Sequence, residues 1–155
     1  MKALLALALL AAACTSISGA TPLPTLDATR AEALLLAADR ARAAAFSQAD
    51  VNPLRPLFAE AAIRALTPQL ARLRRRGQRV ETEEASHRLV HWAPGPGAGE
   101  GVLEVSGRQR VVRAGGPRSG WSRIVRQWQA RLAWSGGHWL IAEAGDLPPP
   151  QWWSG

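Results

Sequence analysis

The apolar pattern of this chain changes its period once, near residue 78, and that change restricts the folds open to it. From about residue 28 to residue 76, apolar side chains recur at steps of three and four residues, which is typical of amphipathic helices. From residue 79 to residue 145, apolar and polar residues tend to alternate, which is typical of strands. Because the helices precede the strands, the sequence predicts an α+β domain. In this domain, N-terminal helices pack on a curved, mainly antiparallel sheet of about four strands.

The helical half starts after Asp27, whose side chain is suited to cap a helix of about twenty residues. A later helix is predicted from about Glu60 to Arg76. Pro68 falls inside its apolar stripe, and the alternative is two short helices, at 60–66 and 68–76. The first helix is predicted to carry its charged residues away from the apolar stripe. These residues are Arg30, Glu32, Asp39, Arg40 and Arg42.

The clearest strand of the second half covers residues 121–134. Ile124, Trp128 and Leu132 lie on its apolar face, and Arg126 is the exception on that face. A Ser-Gly-Gly turn at 135–137 predicts a hairpin to a last strand at 138–144. Two earlier candidate strands cover about residues 79–92 and 102–113, and a Pro/Gly-rich loop separates them.

The N-terminus predicts export. Residues 1–13 contain Lys2 followed by about ten apolar residues, a run too short to span a bilayer. The only cysteine, Cys14, follows this run directly, and the segment resembles a bacterial lipoprotein signal, which implies acylation of Cys14. The alternative is ordinary cleavage after Ala20 and release as a secreted or periplasmic protein. We expect a membrane anchor on the extracytoplasmic side, with residues 14–27 as a flexible tether.

Two stretches of the predicted domain carry a family resemblance. They are the segment from Leu54 to Ala62, followed by a helix that ends in Arg-Arg-Gly, and the closing hairpin from Trp128 to Ile141. Together they resemble the nuclear transport factor 2-like superfamily, also called ketosteroid isomerase-like. The resemblance implies a cone-shaped α+β domain over residues 28–146. The superfamily includes isomerases, dehydratases, hydrolases and non-catalytic modules, so the fold does not choose the function.

The interior of the cone offers one candidate ligand site. The resemblance implies that the inner face of strand 121–134 borders a cavity, and Arg126, Trp128 and Trp134 are the candidate binding residues for an anion or polar ligand. A buried arginine needs a partner or a wet pocket. The alternatives are an edge position for Arg126 or a structural ion pair with Glu104 or Glu143.

A second candidate site is basic. Arginines cluster at the end of the predicted helical half and are suited to an anionic surface or polymer. The alternative is a solvated helix C-terminus, where cations complement the dipole. Nucleic acid is not expected as a partner, since no aromatic residues interleave with the cluster. The cluster consists of Arg72, Arg74, Arg75, Arg76 and Arg79.

Other motifs predict no cofactor or metal. His87 and His91 lie in a predicted strand, where four residues span about 13 Å and would separate two side chains of the same face. A single cysteine excludes a disulfide framework. The tail at 147–155 is a proline spacer that ends in Trp152-Trp153, which we expect either to cover the cone mouth or to contact a partner.

The sequence therefore favours a non-catalytic envelope protein that binds a partner protein or a small ligand, with its oligomeric state open. The alternative is a small cone-pocket enzyme, isomerase-like or hydrolase-like. The ketosteroid isomerase-like enzymes use an acidic base with tyrosine donors, and this chain has no tyrosine. A shielded carboxylate within hydrogen-bond reach of a second donor would favour the enzyme.

Overall fold

Two helices and four strands form the domain, in the order that the change of period predicts. The computed structural model describes residues 21–116 and 119–148. Helix α1 covers Ala28–Gln48, a single 3-10 turn covers Asn52–Leu54, and helix α2 covers Glu60–Arg75. Four strands follow: β1 at Gln78–Gly95, β2 at Ala98–Arg113, β3 at Ser122–Ser135 and β4 at His138–Asp146.

The strands form one antiparallel sheet in the order β1-β2-β3-β4, so each strand pairs with its sequence neighbour. The sheet is curved and not closed, and the helices pack against it, which confirms the predicted α+β class. The edge of β4 is partly covered, because Ala59 donates its N–H to Ile141 O at 2.9 Å and Ile141 donates to Leu57 O at 2.8 Å. No helix among the described ranges is long and apolar enough to cross a membrane.

Helix α1 begins as predicted, with Asp27 Oδ1 accepting the N–H of Arg30 at 2.9 Å. Helix α2 is continuous over Glu60–Arg75, which confirms the predicted helix and excludes the alternative division at Pro68. Pro68 lies on the exposed side of α2, and water can there satisfy the carbonyl of Arg64 that the proline leaves without its donor.

The core lies between the helices and one face of the sheet. Its largest fully buried side chain is Trp128, at the centre of β3. Leucines and an isoleucine from both helical and strand segments belong to the same core. Burial of each such side chain stabilises the fold by about 1.5–3 kcal/mol. They include Leu35, Leu54, Leu103, Leu132 and Ile141.

The segment ahead of α1 packs on the sheet. Pro24 O accepts the N–H of Gly97 at 2.8 Å, and Trp92 Nε1 donates to Leu26 O at 3.1 Å. Leu26 is buried and belongs to the core, and Leu23 lies directly against Gly97. The flexible tether predicted up to residue 27 therefore does not include Leu23–Leu26, because apolar burial and two hydrogen bonds hold this stretch in place.

Strand β1 contains two irregularities, between Glu84 and Ser86 and between Leu89 and His91. Directly paired residues share a face of the sheet. His87 pairs with the buried Val105, and His91 pairs with Val102. Val102 and Val105 are three residues apart in β2 and point to opposite faces, so the two imidazoles do so as well. The sequence-based expectation that both point the same way is therefore wrong, and the second bulge is the reason.

Candidate functional site

The first element of the candidate site is a pair of charged residues on the buried face of α1. Asp39 is 3% exposed and Arg42 is 8% exposed. They follow Leu35 by four and seven residues, so they share one helix face with it and with the buried Ala38 and Ala45. The prediction that both residues lie on the polar face is wrong, because a spacing of three and four residues, not charge, decides which face a residue occupies.

Strand β3 supplies the counter-ion of Asp39. Arg126 Nη2 donates to Asp39 Oδ1 at 2.6 Å, and its Nη1 lies 3.8 Å from Asp146 Oδ1. The predicted alternative partners face elsewhere: Glu104 accepts from Arg88 and Gln127. Glu143 likewise pairs with Arg131. The ion pair of Arg126 therefore joins β3 to α1 and does not run along the sheet.

The guanidinium group of Arg42 is only partly satisfied. Its Nη2 donates to Asp146 Oδ2 at 3.2 Å and Oδ1 at 3.4 Å. Its Nε and Nη1 are buried and have no hydrogen-bond partner among the described residues, and the same is true of Trp128 Nε1. The Arg42 Cζ lies 5.4 Å from the centre of the Trp128 ring, so a cation–π contact compensates part of the buried charge.

A hollow of about 210 Å³ lies beside this cluster, between α1, α2 and the inner face of the sheet. Arg42, Arg126 and Asp146 all contribute to its wall. The remaining wall is apolar apart from three neutral side chains that can donate hydrogen bonds. These side chains are Gln69, Thr82 and Gln109.

The electrostatics of the cluster depend on Asp39. Burial raises the pKa of Asp39 above its ordinary value of 3.8, whereas the positive charges of Arg126 and Arg42 and the hydrogen bond from Arg126 act in the opposite direction. The negative charge of Glu84 adds a small further increase. The two guanidinium groups and the two carboxylates together carry no net formal charge, so the cluster offers an entering anion no excess of positive charge.

The structure brings together two of the three predicted cone residues. Arg126 lines the hollow, and Trp128 lies under Arg42 in the core. Trp134 lies six residues further along β3, where it packs edge-to-face on Trp139 with ring centres 5.7 Å apart. Sequence reasoning missed Asp39, Arg42 and Asp146, although the spacing of the first two from Leu35 was a usable sign.

The predicted basic cluster lies at another place, where α2 ends and β1 starts. Its arginines are exposed, and Arg74 and Arg79 border a separate hollow with Arg113 of β2. Among the described residues no group of histidine, cysteine or carboxylate side chains is arranged to hold a metal ion. Cys14 and the pair Trp152-Trp153 lie outside the described residues.

Comparison with known proteins places the fold but no family. No protein-family model and no curated protein matches the sequence. Among solved structures, the chain is similar to the intermembrane space region of the chloroplast protein ARC6, with a TM-score of 0.71 and 14% identity over 80% of this chain and 98% of that one. An uncharacterised protein with a cystatin-like fold from Caulobacter vibrioides gives a TM-score of 0.46 and 14% identity, over 76% of this chain and 89% of that one. The likeness to ARC6 shows a shared α+β fold, and membership of the nuclear transport factor 2-like superfamily stays a prediction.

Proposed function

We propose that this chain is an exported envelope protein, anchored by a lipid on Cys14, whose domain binds a small carboxylate in the hollow beside Arg42 and Arg126 without catalysing a reaction. The apolar run that ends at Cys14 supports export and the anchor. An extracytoplasmic location is compatible with the fold shared with the intermembrane space region of ARC6.

One observation carries the binding site: a carboxylate of the chain itself already occupies the arginine pair. Asp146 contacts Arg42 and Arg126, yet it engages Arg42 through Nη2 alone. Its side chain is 56% exposed, so little holds it in place against a competitor. A carboxylate that replaced it would gain a two-point contact with the guanidinium fork of Arg42, which is stronger than the present contact.

The unpaired nitrogens give the exchange a driving force. A buried donor without an acceptor costs about 1–3 kcal/mol, and Arg42 has two such nitrogens. A ligand carboxylate that accepts a hydrogen bond from one of these nitrogens removes that cost. This gain offsets part of the free energy needed to remove the ligand from water. The hollow of about 210 Å³ is smaller than the 300–1,000 Å³ typical of ligand clefts, which points to a compact ligand.

Asp39 is the feature that favours the second candidate, a cone-pocket enzyme. It is a shielded carboxylate with a raised pKa and lies within hydrogen-bond reach of Arg126. A general base must also reach the proton that it removes. Asp39 does not border the hollow, and the carboxylate that does is the half-exposed Asp146. This placement supports binding over catalysis.

Removal of the internal carboxylate tests the binding site. Asp146→Ala frees the arginine pair, so acetate or propionate at about 100 mM is expected to raise its Tm by about 5 °C, relative to chloride at equal ionic strength. The wild type is expected to respond less, because Asp146 competes for the site. In the double variant Arg42→Met/Asp146→Ala the carboxylate effect is expected to disappear.

Glu143→Ala is the matched control, because Glu143 also pairs with an arginine but lies outside this hollow. Equal stabilisation of Glu143→Ala and Asp146→Ala by acetate would contradict a specific site. Turnover of an ester or ketone panel by the wild type, lost in Asp39→Asn, would favour the enzyme instead.

The anchor has its own test. Mass spectrometry of the mature protein from a bacterial membrane fraction is expected to find an acylated N-terminal Cys14. The Cys14→Ser variant is expected to lose the modification and leave that fraction. An unmodified mature N-terminus at Thr21 in the wild type would contradict the anchor and leave export in place.

A further inference from the structure

Positive charge is concentrated at the end of the sheet at which β1 starts. Three elements meet there: the last turn of α2, the first residues of β1 and the last residue of β2. We call this region the basic end. It consists of Arg72, Arg74, Arg75, Arg76, Arg79 and Arg113.

The negative charges near the basic end do not balance it. Asp50 lies 3.7 Å from Arg74, and Glu81 lies 3.6 Å from Arg79 but closer, at 2.6 Å, to Arg110. Within the described ranges, the side chains of the other cations at the basic end form no ion pair with a carboxylate. These are Arg72, Arg75, Arg76 and Arg113.

The guanidinium groups of Arg74 and Arg113 are held in position by neutral acceptors. Arg74 donates from Nε and Nη2 to Ala49 O at 3.2 and 2.9 Å. Ala49 has a φ of 51°, and this left-handed turn after α1 directs its carbonyl to Arg74. The side-chain oxygen of Gln78 accepts from Arg113 Nε at 2.9 Å, in the amide orientation that satisfies both groups. Both side chains are thus preorganised, and Arg113 has no carboxylate partner among the described residues, so less entropy is lost when an anion binds.

Arg74, Arg79 and Arg113 border an open hollow of about 820 Å³, and the turns at Gly77 and Gly115 form part of its wall. Glycines leave the backbone of both turns accessible to a ligand. A cluster that served only to complement the dipole of α2 would involve the last turn of that helix alone. Here Arg79 and Arg113 come from the sheet, so the charge is spread along a surface.

The basic end lies opposite the point at which the chain enters the domain. Leu23 and Pro24 contact Gly97, in the turn between β1 and β2. Gln78 is at the other end of β1, whose 18 residues measure about 55–60 Å along the strand at about 3.3 Å per residue. The N-terminal segment at Leu23 and Pro24 and the basic end therefore lie at opposite ends of β1.

We infer that the basic end binds a soluble linear polyanion with repeated phosphate or carboxylate groups. Guanidinium forks match both oxyanions in a two-point geometry. A linear polymer can contact the exposed arginines of α2 and those of the sheet at the same time, whereas a single small anion contacts one or two.

The test measures binding of the full chain, solubilised in a neutral detergent, to long-chain polyphosphate, to polyglutamate and to vesicles with and without phosphatidylglycerol. We expect micromolar binding to at least one polymer near 50 mM salt, with affinity falling at least tenfold by about 200 mM. A triple variant of the basic end is expected to weaken this binding at least tenfold. It carries Arg72→Gln, Arg75→Gln and Arg76→Gln.

A second triple variant removes the same number of positive charges from exposed sites elsewhere and is expected to change polymer binding less than threefold. It carries Arg30→Gln, Arg55→Gln and Arg64→Gln. Circular dichroism and urea denaturation check that both triple variants are folded.

Three outcomes would overturn the inference. The first is no salt-sensitive binding of either polymer by the wild type, and the second is an equal loss in both triple variants, which would indicate net charge alone. The third is binding to phosphatidylglycerol vesicles without binding to soluble polymer, which would indicate a bilayer contact. Arg42→Met is expected to leave polymer binding unchanged, so failure of the carboxylate site and failure of the basic end are distinguishable.

Discussion

Replacement of Arg126 by methionine tests the link between α1 and β3 most directly. The side chain of Asp39 is 4% exposed, and its hydrogen bond to Arg126 spans 87 residues of sequence. Methionine keeps most of the apolar volume of the arginine stem but removes the charge and the donor. The variant therefore leaves a buried carboxylate whose remaining close positive charge is Arg42.

The magnitude has an upper limit set by protonation. Protonating a carboxylate of ordinary pKa 3.8 at pH 7 costs about 4 kcal/mol, at about 1.4 kcal/mol per pH unit. Because the variant can protonate Asp39 instead of burying its charge, its loss of stability does not exceed this value. Breaking a buried pair from one side typically costs about 3–5 kcal/mol. Arg42 compensates part of the loss, so we expect the free energy of unfolding to fall by about 3 kcal/mol.

Urea denaturation of wild type and Arg126→Met at pH 7 measures this loss, and the double variant Asp39→Asn/Arg126→Met is expected to recover at least half of it. The loss also depends on pH. Removal of Arg126 raises the folded-state pKa of Asp39 further, because the charge and the hydrogen bond of Arg126 lower it in the wild type. The difference in the free energy of unfolding is largest where Asp39 is ionised in both folded proteins and disappears once Asp39 is protonated in both. The difference is therefore expected to narrow as the pH falls below about 7.

Two results would refute this reasoning. A loss below about 1 kcal/mol at pH 7 would mean that the pair behaves as an exposed salt bridge. No recovery in the double variant would mean that Arg126 acts through packing and not through the carboxylate of Asp39.

Two further predictions concern close contacts of the sheet and of the N-terminal segment. Gly107→Ala is expected to lower the free energy of unfolding by about 1–3 kcal/mol, because the added Cβ would lie 2.1 Å from Glu83 O at the first bulge of β1. Gly145→Ala is the control, since a Cβ added at Gly145 meets no atom within 4 Å. A Tm change equal in the two variants would contradict this account. Trp92→Phe removes the hydrogen bond to Leu26 O. It is expected to lower the free energy of unfolding by about 1 kcal/mol and to speed proteolysis of the segment ahead of α1. Unchanged proteolysis would mean that apolar burial alone holds this segment on the sheet.

More of the fold than of the candidate site could be predicted from the sequence. The change of period near residue 78 and the cap at Asp27 gave the class and the start of α1, because both are local properties of the chain. Pro68 left the continuity of α2 open, since a proline on the solvent side of a helix does not have to end it. Arg126 was identified because a charge interrupts an apolar face, and its partner was not, because nothing local connects β3 with α1.

By itself, then, the sequence determined the order of helices and strands, the inward placement of Arg126 and Trp128, and the cluster of arginines after α2. The tertiary structure alone decided which charges meet. It set Asp39 of α1 against Arg126 and Arg42 against Asp146, and it added Arg113 to the basic end. The physical reason is that periodicity is fixed by backbone geometry within one element, whereas ion pairs depend on how elements distant in sequence pack together.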